Sequence, residues 1–237
     1  MTAVAHGTDP VRRRVSAVWS TSAAVLLLGS GALQLVASLQ RWVGFRDSRA
    51  PDDISAEDHL YDYSYPSDPW VPIGTAAQLF GLGCLLLAVG VLVMLAAAPR
   101  RRIPAMLLPA VVAAGSFALD GAHALSSGLA GVPSPVQHWL DAQWFISLIG
   151  FCCLVVLGVL WLRTSRAVAA ACLLLLGSTV PGYLVATFGI APALAGYQSH
   201  DTTPWTETIV AVSAAFAGIA MLVAAVSGRA TSRRPRV

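Results

Sequence analysis

IGTAAQLFGLGCLLLAVGVLVMLAAA, residues 73–98, runs for 26 residues without one charged side chain. At a rise of about 1.5 Å per residue, roughly 20 helical residues cross the hydrocarbon core of a bilayer. Helix is the conformation this stretch must take there, because lipid offers no partner to an open backbone. Five further segments are of similar length and character: 17–39, 105–130, 144–162, 167–190 and 208–226. Composition agrees, with 56% apolar and 11% charged residues in 237, against about 25% charged in a soluble domain. The expected fold class is an all-α integral membrane protein of six transmembrane helices. Residues 1–16 form an amino-terminal segment, 17–227 the membrane domain and 228–237 an arginine-rich tail.

Arginine counts in the connections orient these spans. The side of the amino terminus collects twelve of the fifteen arginines, and the other side holds only Arg41, Arg46 and Arg49. Ten of the twelve acidic residues run the opposite way, Asp9 and Asp120 being the exceptions. Both termini are therefore expected in the cytoplasm, in a cell inner membrane. The chain has no Lys and no Asn, as in a GC-rich, bacterial genome. Arg12, Arg13 and Arg14 ahead of an apolar run resemble an export signal, but the run is longer than a signal h-region and five spans follow, so a retained helix is expected.

The longest connection, 40–72, exceeds the length at which loops are either functional or disordered. A partly ordered cap is expected here, with Ser55 capping a short helix that Leu60, Tyr61, Tyr63 and Tyr65 lay on the bilayer surface. The odd spans carry Gly29-Ser30, Gly115-Ser116 and Gly177-Ser178. The even spans are preceded by Asp68 with Trp70, Asp141 with Trp144, and Asp201 with Trp205. Three helical hairpins in series would produce this pattern, and so would ordinary small-residue contacts and interfacial tryptophans.

Asp120 is the one acidic residue inside a span. A carboxylate at bilayer depth costs roughly 2.5–3.5 kcal/mol and turns to a partner or a wet cavity. Ser116, Asp120, His123 and Ser127 share one helix face, which must point into the bundle. Asp120 and His123, at i and i+3, can hydrogen-bond directly. Ser30, Gln34 and Ser38 on the first span and Gln78 on the second are the expected partners lining a cavity around Asp120. Either Asp120 and His123 handle a proton or cation, or Asp120 is a structural polar pin.

His59, His138 and His200 lie in the three outer loops with Asp62, Asp141 and other carboxylates nearby. His59, Asp62, His138 and His200 are the weak candidates for a divalent metal, and no cofactor is otherwise expected. Trp42, Trp70, Trp139, Trp144, Trp205, Tyr61, Tyr63, Tyr65 and Tyr197 concentrate on the same side, as an interfacial belt or the wall of a vestibule. Cys84, Cys152, Cys153 and Cys172 all fall within spans, so no disulfide is expected. Pro181 beside Gly182 predicts a kink in the fifth span. Phosphate-binding, nucleophile-elbow, zinc-protease and paired-aspartate motifs are absent.

These features point first to a transporter or sensor that handles a small solute, cation or proton through an outward-facing polar cavity. A membrane-embedded enzyme acting on a lipid or isoprenoid-like substrate, with Asp120 as general acid, is the alternative. A non-catalytic subunit, whose polar stripe grips a protein partner or a second copy, is the third. No nucleic-acid partner is expected.

Overall fold

The computed structural model describes residues 10–46 and 54–230, with side chains for 16–46 and 54–227. Most of the expected segment 1–16 and tail 228–237 lie outside these residues, as do Asp47, Arg49, Asp52 and Asp53. The helices are α1 (Pro10–Leu39), α2 (Ala76–Ala96), α3 (Ile103–Ala130), α4 (Leu140–Leu162), α5 (Arg166–Leu175), α6 (Val180–Val185), α7 (Ala191–Ala195) and α8 (Thr206–Ala230). Among the described residues, five helical stretches are long and apolar enough to cross a membrane, and six if one bent pair counts as a span.

The ends depart from the apolar runs for local reasons. α1 continues through a π-helical segment, Gln40–Phe45, so Arg41 and Trp42 belong to a helix end, not to a loop. α4 begins at Leu140 rather than at 144, which brings Gln143 into the helix. α8 runs to Ala230, past the expected start of the tail. The kink expected at Pro181 is a full break. α5 ends in a tight turn at Leu176–Ser178, and the chain re-enters helix at Val180, bent by 72°. Pro181 starts α6 instead of bending a continuous helix, because the first turn needs no proline N–H. Gly182 is required beside it, since a Cβ there would meet the Leu176 carbonyl oxygen at 2.0 Å.

The helices close a ring in chain order: α1 packs on α2, α2 on α3, α3 on α4, α4 on α5 and α5 on α8, which returns to α1. The broadest contacts, α1 with α8 and α2 with α3, run between the expected hairpins and not within them. Helix crossings rest on small residues. A Cβ on Gly81 would lie 2.5 Å from the Leu125 nitrogen, and one on Gly121 would lie 2.7 Å from the Gly81 oxygen. The three Gly-Ser pairs are not equivalent: Gly29 faces Leu86, Gly115 has nothing within 4 Å, and Gly177 abuts Ser213.

Each end of the ring has its own core. Toward the arginine-bearing turns (Arg100–Arg102, Arg163, Arg166) it is apolar, built from residues such as Leu27, Met94, Met106, Leu154, Trp161, Leu175 and Met221. A crevice in this half is lined by Val91, Met94, Leu154, Leu157 and Cys172. Toward the loop end, the connection 54–72 folds inward. Tyr61, Tyr63 and Trp70 pack with Ala37, Ile73, Ala77, Phe80 and Ala124.

The expected surface helix is therefore absent. Two single 3-10 turns, Ser55–Glu57 and His59–Tyr61, stand in its place, and Asp58 caps the second by accepting from the Leu60 amide. Tyr61 closes the second turn, and the chain beyond it sinks into the bundle, with Tyr63 and Ser64 fully buried. The expected interfacial belt is correspondingly thinned. Trp42, Trp70, Tyr61 and Tyr63 are buried, whereas Trp139 and Trp144 remain exposed.

Candidate functional site

Asp120 sits on α3 facing the ring interior, 3% exposed. Its Oδ1 accepts from Gln143 Nε2 on α4 at 2.7 Å. The expected partners bond elsewhere. Ser30 donates to the Gly83 carbonyl at 2.7 Å, Gln34 to Ser30 at 2.9 Å and Gln78 to the Gly128 carbonyl at 2.6 Å. They fasten α1 to α2 and α2 to α3. Ser38 pairs with Thr208 on α8 at 2.7 Å. Gln143 was hidden from the sequence because the apolar run of α4 starts after it.

His123 does not bond Asp120. Its Nε2 meets the Pro66 carbonyl at 3.0 Å and its Nδ1 the Ser134 hydroxyl at 2.7 Å. A carbonyl only accepts, so Nε2 carries a proton. Ser127 completes this joint by donating to the His123 carbonyl at 2.8 Å and accepting from the Ser134 amide at 2.9 Å. His123 thus pins the loops 54–72 and 131–139 to α3, and the expected Asp120–His123 pair is replaced by two separate contacts.

One turn deeper, Ser116 packs against Gly150 and donates to the Ala113 carbonyl at 2.9 Å. Ser147, one turn from Gln143, accepts from the Val180 amide at 2.9 Å, which brings the α5–α6 break to this face of α4. Thr179 caps α6 by accepting from the Gly182 amide. Among the described residues, Gln143 Oε1 and Ser178 Oγ are buried without a hydrogen-bond partner, while the buried Tyr183 phenol lies against Thr202. Tyr183 meets Tyr65 edge-on at 5.9 Å. Burial first, and then the nearby Asp120, pushes the Tyr65 phenol well above its ordinary pKa, with Cys84 and Asp62 adding to it. Tyr65 and Tyr183 therefore bridge the surroundings of Asp120 to those of Asp62.

Asp62 belongs to a second cluster, centred on Arg41 at the helical end of α1. Arg41 is fully buried. Its Nη1 bonds Asp62 and also Glu207 Oε1, the latter at 2.8 Å; Nε donates to the Ala56 carbonyl at 2.9 Å and Nη2 to the Asp58 carbonyl at 3.2 Å. Trp42 Nε1 donates to Glu207 Oε2 at 2.6 Å, and the guanidinium lies 4.7 Å from the Trp42 ring centroid. Thr202 from the last loop donates to Asp62 at 3.0 Å. One guanidinium faces two carboxylates. Burial raises the Asp62 carboxyl above its usual range, and Arg41 offsets this only in part. The available signal was opposite charge at adjoining ends, Arg41 closing α1 and Glu207 opening α8.

Of the expected metal residues, Asp62 is thus occupied by Arg41. His59 instead faces Asp58 and Asp201, at 3.1 and 3.3 Å from its Nδ1. Their ligand atoms lie within 4.8 Å of one another, and His138 and His200 are not among them. The same carboxylates accept backbone amides, Asp201 from His59 at 2.6 Å and Asp58 from Leu60 at 2.8 Å. The chain matches no protein-family model, no curated protein and no solved structure.

Proposed function

We propose that this is an integral protein of a bacterial plasma membrane, with its termini in the cytoplasm and its loop end outside, as the arginine distribution indicates. On this reading it admits a proton or small cation from the outside to Asp120, as an ion sensor or an outward-facing ion-coupled carrier. One observation carries the reading: polar groups run from Asp62 through Tyr183 and Tyr65 to Asp120, whose bonded partner among the described residues, Gln143, is neutral. An ionised carboxylate without a cationic partner in such a site is costly, so a bound proton or cation is its natural complement. The packed apolar half beyond it favours sensing over free conduction. The burial of Asp120 also speaks against a general acid for a lipid-like substrate.

Vesicles containing the purified protein, assayed for proton and alkali-cation flux and for tryptophan fluorescence changes, test this. Either signal is expected in the wild type and is expected to vanish in a folded Asp120→Asn variant. A wild type silent in both assays would refute the reading.

A further inference from the structure

Asp58 and His59 open the second turn of the 54–72 connection, and Asp201 stands 142 residues beyond His59 in the last one. The fold brings them together through the residues beside them. Thr202 donates its amide to the Glu57 carbonyl at 3.1 Å and its hydroxyl to Asp62 at 3.0 Å, and Asp62 is held by the buried Arg41. The Asp201 amide donates to Ser199 Oγ at 3.2 Å, which braces the second connection from its other side. Backbone amides then aim both carboxylates, Leu60 donating to Asp58 Oδ1 and His59 to Asp201 Oδ2.

The resulting geometry is that of a metal's ligands. His59 Nδ1 lies 3.1 Å from Asp58 Oδ1 and 3.3 Å from Asp201 Oδ2, and donor atoms of the three residues all lie within 4.8 Å of one another. Zinc bonds of about 2.0–2.2 Å to nitrogen and carboxylate oxygen place neighbouring ligands about 2.9–3.4 Å apart at octahedral or tetrahedral angles. A ring nitrogen carries one proton at most and donates it to one carboxylate, whereas a cation on its lone pair meets both. The donor set selects the ion. Imidazole suits zinc and its first-row neighbours, while calcium and magnesium prefer oxygen alone. Two carboxylates balance the charge of a divalent ion. All three side chains reach solvent, so an ion can enter without opening the fold and keep water in its remaining positions. We infer that Asp58, His59 and Asp201 form a binding site for a divalent cation of the zinc class, which clasps the 54–72 connection to 196–205. The site is separate from Asp120 and does not rest on the proposed function.

The test is calorimetric titration of zinc chloride into the purified, chelator-treated full chain in a mild detergent. One ion per chain is expected, with no signal from magnesium chloride at equal concentration. His59→Ala and Asp201→Asn should each weaken binding at least about tenfold, the loss that even an outer partner of a metal ligand causes. Asn at 201 keeps an acceptor for the His59 amide, and thermal unfolding without metal checks that both variants fold. His138→Ala, at an exposed histidine outside the cluster, should bind zinc as the wild type does. Zinc should also slow proteolysis of 54–72 in the wild type and not in Asp201→Asn, because only an ion held from both connections joins them. No zinc uptake by the wild type, or equal uptake by the wild type and His59→Ala, would overturn the inference. Zinc binding in a protein silent in the vesicle assays would uphold it while removing the Asp120 reading.

Discussion

Replacing Arg41 with Met keeps most of the aliphatic bulk and removes the guanidinium. The residue is fully buried and donates to two carboxylates and two carbonyls. Its loss strands Asp62 and Glu207 side by side without a cation. Breaking a buried ion pair from one side costs about 3–5 kcal/mol, most of it the charge left behind. The upper part of that range is expected here, because two carboxylates and the Ala56 and Asp58 carbonyls lose their donor together. The destabilisation should also be local at first. Thr202 bonds Asp62, and the Thr202 amide bonds the Glu57 carbonyl at 3.1 Å, so the 54–72 and 196–205 connections loosen as a unit. Denaturant unfolding in a mild detergent measures the total, and limited proteolysis reads the loops. Adding Asp62→Asn and Glu207→Gln to Arg41→Met should recover more than half of the loss, since the stranded charge is then gone. A cost for Arg41→Met below about 1 kcal/mol, the range of an exposed pair, or no recovery in the triple variant, would refute this account of the cluster.

Three further outcomes follow from named contacts. Asp62 has a folded-state pKa above its unfolded value, so the folded state binds the extra proton. Its contribution is therefore full below the ordinary carboxylate range and is lost as pH rises through the raised folded value; an unfolding series across acid pH should show this decline, and Asp62→Asn should flatten it. Gly121→Leu should cost at least about 1–3 kcal/mol, because a Cβ at that position meets the backbone of α2 at 2.7–3.0 Å; an unchanged unfolding midpoint would contradict the crossing. His123→Ala removes the joint to Pro66 and Ser134 and should cost about 1–3 kcal/mol, with faster proteolysis of 54–72 and 131–139. It should leave the vesicle signals intact, in contrast to Asp120→Asn.

The helices were legible because one term dominates them. A run such as 73–98 is so apolar that burial in lipid or protein decides its conformation regardless of neighbours. The break in the fifth segment was legible only as to region. Pro181 marked it, but a proline is equally at home in the first turn of a new helix, and the choice was made by Ser147 accepting from the Val180 amide across the ring. Asp120 could be placed on an inward face by spacing alone, whereas its partner could not. Gln143 lies outside the apolar run and becomes helical only because α4 begins at Leu140. His123 was assigned to Asp120 by proximity in sequence, yet the loops supplied better partners for both ring nitrogens. Arg41 shows the limit most clearly. Charge at the end of an apolar run reads as a solvated boundary, and nothing local reveals that 54–62 will fold over it and that Glu207, 166 residues away, will meet it.

The two clusters are best understood together. Arg41, Asp62 and Glu207 tie the end of α1 to the start of α8 and to the inward-folded loop, while Tyr183 on α6 lies within electrostatic reach of all three. Tyr183 also packs on Tyr65, a loop residue whose phenol lies within electrostatic reach of Asp120. On the proposed reading, the route from the loop end to Asp120 runs past this pair of rings. Entry of an ion therefore requires Tyr65 and Tyr183 to separate, and they can do so only if the loop or α6 moves. The loop is fixed by a buried ion network and by His123, both costly to break. α6 is a single short helix set between a 72° break and a π-helical segment, with few hydrogen bonds to its neighbours. The physical asymmetry assigns the moving part to α6 and the fixed part to the cap. Tethering the loop should then leave ion access to Asp120 unchanged, whereas tethering α6 to α4 should abolish it.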